Sequence, residues 1–168
     1  MSLDLRTFEI LTTPAFVVDQ AVDILKGRTL TSGIFREPMF ATSTGFARSV
    51  AVEIELSLFS QSRVTSTLTE FISFWDLSSI ERKQLDELSG GWLRILMLSL
   101  FFQANLHCEE LIIVNGFRFI APDRLYRLLR QLATVWSGQV WVFGSDLENR
   151  REQNLTIANC KLDEIINR

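Results

Sequence analysis

The chain has 168 residues, 47% of them hydrophobic, with thirteen phenylalanines and four tryptophans, which suits one domain with a core of large side chains. Its formal charge of −3 gives no net basic footprint for a nucleic-acid backbone, and its longest apolar run, Ile95 to Phe102, is far short of a bilayer span. Asp4, Arg6 and Glu9 stand where a secretion signal would need an apolar core, and Cys108 and Cys160 form no CxxC, so a cytoplasmic protein with reduced thiols is expected.

In chain order, Phe8 to Leu11 reads as a short strand that stops at Thr12-Thr13-Pro14. A helix is predicted from about Val17 to Lys26, with Val18, Ala21, Val22 and Leu25 on one face and Gly27 as its stop. Thr31-Ser32-Gly33 is turn chemistry. One or two strands are expected between Ile34 and Phe59, where Val50 to Leu56 alternates with period two. Leu68, Phe71, Ile72 and Trp75 then form the stripe of an amphipathic helix. Ser78-x-x-Glu81 reads as a capping box that opens a charged helix to about Glu87.

The helix predicted after Gly91 is almost wholly apolar, as one sandwiched in a core would be. Leu111 to Val114 lacks alternation, which suggests a strand buried on both faces in a parallel sheet. Pro122 suits the first turn of a helix striped by Leu125, Leu128, Leu129, Leu132 and Trp136, closed by Ser137-Gly138. Val140 to Phe143 is the next strand, and the charged tail holds a weak strand at Leu155 to Ala158 and a last helical turn. The expectation is a single α/β domain over 1–168, with a mainly parallel sheet flanked by helices.

Chemistry-bearing residues are few. Leu88-Ser89-Gly90-Gly91 places a hydroxyl and two bare glycine amides at a helix N-terminus, which makes an anion-binding nest; the same residues would also serve as a plain turn. His107-Cys108-Glu109-Glu110 holds metal-ligand types, but adjacent residues do not converge on one ion, and a surface loop is the simpler reading. Asp163 and Glu164 read as a solvated face. No Ser-His or Cys-His arrangement is legible around the single histidine. The spacing does not place all of Trp75, Trp92, Trp136 and Trp141 inside, and an exposed cluster of them would mark an interface.

The order of Leu88-Ser89-Gly90-Gly91, an apolar helix, the strand Leu111 to Val114, the turn Ile120-Ala121-Pro122-Asp123, a leucine-striped helix and the strand Val140 to Phe143 resembles the second half of an ABC-type ATPase domain. In that family these are the signature loop, Walker B strand, D-loop, helix and switch strand. The resemblance is specific from Asp86 to Asp146 and implies a P-loop NTPase, ABC-ATPase-like fold. The short stretch before the signature implies a reduced helical subdomain, and the early first strand implies a reduced N-terminal β part.

The resemblance also shows which chemical positions differ. The phosphate loop would fall on Thr12 to Gln20, with Val18 and Asp19 in place of Lys and Ser/Thr, and no GxxxxGK occurs in the chain. The Q-loop glutamine would be replaced by Ile54 or Glu55, or alternatively by Arg36 in Phe35-Arg36-Glu37-Pro38; the sequence leaves both placements open. After Leu111 to Val114 come Asn115 and Gly116, where the family has an Asp for Mg²⁺ and a Glu to polarise water. The switch histidine would fall near Ser145. Trp92 also departs from the polar residue usual after the signature.

The expected function is therefore a degenerate, catalytically inactive ABC-ATPase-like domain serving as an interaction or regulatory subunit. Its signature loop, Leu88, Ser89, Gly90 and Gly91, would be offered in trans to a nucleotide on an active partner ATPase. The expectation includes no resident cofactor and no metal, a homo- or hetero-dimeric protein partner, no nucleic acid, and membrane association only through that partner. The alternative is an atypical nucleotide-binding subunit, of transporter or SMC/Rad50-like kind, that grips phosphate through Arg28, Arg36 or Arg48.

Overall fold

A computed structural model describes residues 8–11, 23, 32–36, 49–61, 66–143 and 157–158. The expected phosphate-loop residues 12–20, the switch position at 144–146, Asp163, Glu164 and the last helical turn lie outside the described residues. Of the helix expected over 17–26, only Asp23 is described, and it is helical. The chain divides into two compact units: Met1–Glu37, His107–Arg118 and Ala133–Arg168 form the first, Pro38–Leu106 and Phe119–Leu132 the second.

The first unit is built on a five-stranded sheet. Its strands are β1 (Phe8–Leu11), β2 (Ser32–Arg36), β3 (Glu110–Val114), β4 (Gln139–Phe143) and β5 (Ile157–Ala158), in the order β2-β3-β4-β1-β5. Every pairing is parallel. Leu111, Ile112 and Ile113 of β3 are buried, as are Val140, Trp141 and Val142 of β4. An unbroken apolar run suits a strand covered on both faces, which is why neither segment alternates. The Trp136 indole N–H donates to the Cys108 carbonyl at 2.8 Å, fastening the approach to β4 onto the approach to β3. Gly138 is needed there, because a Cβ would lie 2.2 Å from the Glu109 carbonyl oxygen and from the Trp136 ring.

The second unit is helical. It holds α1 (Val50–Ser60), α2 (Leu68–Phe74), one 3-10 turn (Leu85–Glu87), α3 (Gly90–Asn105) and the start of α4 (Pro122–Val135). Its core gathers Phe71, Ile72, Trp75, Leu77 and Ile80 with Ile95, Leu96, Leu98 and Phe102. Trp75 sits 5.8 Å from the Phe102 ring and donates its indole N–H to Gln103, so its one polar atom is satisfied. The Ser99 hydroxyl, fully buried in α3, donates to the Ile95 carbonyl at 2.8 Å for the same reason.

Three expectations are corrected. Residues Val50 to Leu56 are helix, not strand. Ser49 caps α1 by accepting the Val52 N–H, and the buried set Val50, Glu53, Ile54 and Leu58 follows helical spacing. The period-two reading joined residues of opposite faces, for Val52 and Leu56 are exposed. Secondly, no helix opens at Ser78; residues 78–82 are turns. The backbone closes in two successive turns, Ile80 N–H to the Leu77 carbonyl and Lys83 N–H to the Ile80 carbonyl, and then pairs with the start of α1, where the Lys83 carbonyl accepts from the Val50 N–H. Glu87 reaches back to the Gln84 N–H over the 3-10 turn at Leu85–Glu87. Thirdly, Ser32 and Gly33 are not a turn but the first two residues of β2, paired with Glu110 and Leu111.

The capping box that does form is Thr67-x-x-Glu70, at the head of α2. Thr67 accepts from the Glu70 N–H, and the Glu70 carboxylate accepts from the Thr67 N–H at 2.8 Å and from its hydroxyl. These bonds, the backbone one first, hold the Glu70 carboxyl below its usual value.

Candidate functional site: a signature-type loop and the carboxyl edge of the sheet

Leu88-Ser89-Gly90-Gly91 occupies the junction between the 3-10 turn and α3. Leu88, half-buried, closes the turn through its N–H to the Leu85 carbonyl at 3.3 Å. Ser89 is the N-cap of α3, in extended geometry, and its hydroxyl oxygen accepts the Trp92 N–H at 3.4 Å. That oxygen acts as acceptor, so the hydroxyl proton remains available for donation. Its carbonyl accepts from Leu93, the first full turn of the helix. The amides of Gly90 and Gly91 belong to the orphan first turn of a 16-residue helix, where the dipole favours an anion.

The two glycines serve different ends. A Cβ on Gly91 would stand 2.6 Å from the Phe119 carbonyl oxygen, so this residue is glycine to let that backbone approach. A Cβ on Gly90 would meet nothing within 4 Å. The packing of this chain therefore does not require glycine at 90. Phe119 itself has φ +64°, unusual for a bulky residue, and its ring is exposed with the Arg94 guanidinium 5.9 Å from its centroid. Trp92, half-buried one turn into α3, carries the Arg124 guanidinium 4.2 Å above its ring.

In the first unit, the parallel registers bring the strand ends to one edge. Arg36 pairs with Val114, Val114 with Phe143, and Ile10 with Val142. Ligands of open α/β sheets bind outside this carboxyl edge. Arg36 thus lies at the edge, whereas Ile54 is buried in the middle of α1 and Glu55 is its exposed neighbour. Arg36 is the last residue of β2, and Ile54 and Glu55 lie within α1.

Asn115 and Gly116 follow β3 at the same edge. Asn115 has φ +55°, a left-handed conformation that its short amide tolerates. Gly116 is enclosed: a Cβ would come within 2.4 Å of the Ile113 side chain and about 3 Å of the Phe35 ring. Among the described residues, no group of three His, Cys, Asp or Glu side chains could hold a metal ion. His107 and Glu109 are exposed, while Cys108 is buried with its sulfur 3.7 Å from His107 Nε2. Three of the four tryptophans are core, and Trp92 is the one at the surface.

Sequence reasoning missed the groups around Trp92. Arg124 and Arg127, three residues apart on the polar side of the leucine stripe, were the legible signal, since such spacing puts both on one helix face. The positive φ of Asp76 and Phe119 left no comparable trace.

A parallel sheet in one unit and a helical second unit give a fold like that of ABC-type ATP-binding domains. An ABC transporter ATP-binding protein from Pyrococcus furiosus matches with a TM-score of 0.60 and 13% identity, over 83% of this chain and 78% of that one. A metal-chelate type ABC transporter in an inward-facing conformation matches with a TM-score of 0.55 and 14% identity, over 82% of this chain and 61% of that one. The ATP-binding cassette MJ0796, a dimer in a post-hydrolysis state with ADP and Pi, matches with a TM-score of 0.58 and 11% identity, over 88% and 78%. No family model and no curated protein matches the chain. Among the described residues, no helix is long and apolar enough to cross a membrane.

Proposed function

We propose that this chain is a catalytically inactive ABC-ATPase-like domain that acts as an interaction or regulatory subunit and lends its signature loop to a nucleotide held by an active partner. The carrying observation is Gly90: it heads α3 in open space, which leaves its amide open to an approaching phosphate with no side chain in the way. Next to it stand the Ser89 hydroxyl and the first-turn amides of α3, donors suited to a γ-phosphate. Charge-assisted hydrogen bonds of that kind are worth about 1.5–3 kcal/mol each.

The reading of inactivity is supported at the sheet edge. Asn115 offers a neutral amide where Mg²⁺ prefers a carboxylate, and the enclosure of Gly116 excludes a glutamate base without repacking Ile113 and Phe35. With no GxxxxGK in the chain, the phosphate grip of the family is also missing. The dimeric state named for one of the similar cassettes makes a two-subunit arrangement the natural one to propose. The test is a partner recovered by pull-down and assayed for ATP hydrolysis. Ser89→Arg or Gly90→Asp should abolish the stimulation given by this chain while leaving its own fold intact; an unchanged rate refutes the trans role.

A second reading is favoured by the position of Arg36, abreast of Val114 at the carboxyl edge. There a guanidinium could grip phosphate bidentately in an atypical nucleotide site. Calorimetry with ATP and Mg²⁺ on the isolated chain separates the two, since submicromolar binding lost in Arg36→Gln would establish the second and overturn the first.

A further inference from the structure

A pocket of about 280 Å³ in the second unit is not used by the signature loop. Trp75, Ile95 and Leu128 give it an apolar floor, and Asp76, Trp92, Arg124 and Arg127 form its polar walls. The two arginines are in different states. Arg127 pairs with Asp76 at 3.7 Å, both side chains being well exposed. Arg124 is stacked on Trp92 at 4.2 Å and has no carboxylate partner among the described residues. A stacked guanidinium loses one face to the ring, while its in-plane N–H donors keep the fork geometry that matches a carboxylate.

The fixed geometry of Asp76 adds to this. It follows α2 in the left-handed conformation, φ +55°, with its N–H to the Ser73 carbonyl and the Leu77 N–H to the Ile72 carbonyl, the two bonds of a Schellman closure. The backbone thus fixes the place of Asp76 in the pocket wall. A dianionic phosphate would meet its repulsion more strongly than a singly charged carboxylate would. Along α4, Arg124, Arg127 and Arg130 are all exposed and recur every three residues. That row extends about 9 Å along the helix axis, roughly the length of three extended residues. The local basic face lies in a chain whose overall charge is −3.

We propose that this pocket docks a short acidic segment of a partner protein, taking a Glu or Asp carboxylate on Arg124 and a neighbouring apolar side chain on the Trp75–Leu128 floor. Charge complementarity along α4 selects an extended acidic peptide over a compact anion. The site belongs to the second unit alone and stands whether or not the signature loop meets a nucleotide.

The probe is the fluorescein-labelled peptide Gly-Glu-Leu-Glu-Phe-Gly-amide, followed by anisotropy on the full chain at low salt. The matched peptide with both Glu changed to Gln should bind about tenfold more weakly, the loss expected for a charge-assisted fork. R124Q and W92L should each raise the Kd of the Glu peptide about tenfold, and R124K, which keeps the charge but not the planar fork, about threefold. W92F, which keeps a ring under Arg124, and R118Q, a basic change in the other unit, should stay within about twofold. Circular dichroism confirms the fold of each variant; Arg124 is exposed, so its changes do not threaten the core. Equal binding of the Glu and Gln peptides, no binding of either, or indifference to R124Q and R124K overturns the proposal. Tighter binding of oligothymidylate or inorganic phosphate at Arg124 would also overturn it, in favour of a phosphate ligand.

Discussion

Gly90 and Gly116 both stand at the ends of elements, one at the head of α3 and one after β3, and their surroundings are opposite. Gly116 is pressed between Ile113 and Phe35 after β3, whereas Gly90 faces open space at the head of α3. The first is a packing residue of the core and the second has no internal packing duty. The difference separates a position filled in by the protein's own side chains from one kept open to the outside. A position closed by packing does not accept a larger side chain by a single change, because a core at native density has no room for it.

The largest expected effect tests the closed side. Gly116→Glu should cost about 3 kcal/mol of unfolding free energy in urea melts, since the new side chain must displace Ile113 and Phe35. It should also fail to create ATPase activity, even together with Asn115→Asp. Near-native stability for Gly116→Glu would show that the edge is not packed as described.

Gly91→Ala comes next, at about 1–3 kcal/mol, because its methyl group meets the Phe119 backbone and that backbone cannot swing aside like a side chain. Ser89→Ala removes the cap of α3 and should cost about 1 kcal/mol. Gly90→Ala should go the other way and stabilise by up to about 0.5 kcal/mol, as alanine is the better helix former and finds no obstruction. The sign change between positions 90 and 91 sharpens the comparison: equal destabilisation at both would erase it.

The smallest effect concerns the Thr67–Glu70 box, which belongs to neither side. Glu70 has its carboxyl held below the usual value of 4.5 by the Thr67 bonds. A depressed carboxyl contributes stability above its unfolded pKa, and that contribution is lost as pH falls through the folded value. The stability difference between the wild type and Glu70→Gln, read from thermal melts, should thus be constant above about pH 5.5 and shrink below pH 4.5. A difference that grows in acid would contradict the assignment.

Much of the parallel core was legible because burial on both faces leaves unbroken apolar runs. Leu111 to Val114 and Val140 to Phe143 read as strands, and the leucine stripe from Leu125 to Leu132 as a helix; the structure bears out all three. Misreadings arose where two periods overlap. Val50, Val52, Ile54 and Leu56 alternate in sequence, yet Val50 and Ile54 are also one helical turn apart, and Ser49 settles the matter by capping. Ser78-x-x-Glu81 has the letters of a capping box, but residues 78–82 are turns that lead into the pairing of Lys83 with Val50, while Thr67-x-x-Glu70, directly before an apolar stripe, is the better match to the same pattern.

The candidate site was legible as a motif but not as a surface. Nothing in the letters Gly90-Gly91 distinguishes the glycine that admits the Phe119 backbone from the one that touches nothing. Likewise, the ring of Trp92 under Arg124 joins residues more than thirty positions apart, across a strand and a turn. Such pairings are set by tertiary packing and leave no local period to read.

The proposed trans role of Leu88 to Gly91 is tested most directly by amide hydrogen exchange at Gly90 and Gly91. With the partner ATPase bound, adding ATP and Mg²⁺ should slow exchange at these two amides as they take up hydrogen bonds to phosphate. The isolated chain should show no change with the same nucleotide. Unchanged exchange in the nucleotide-loaded complex, or protection in the isolated chain, would contradict the account.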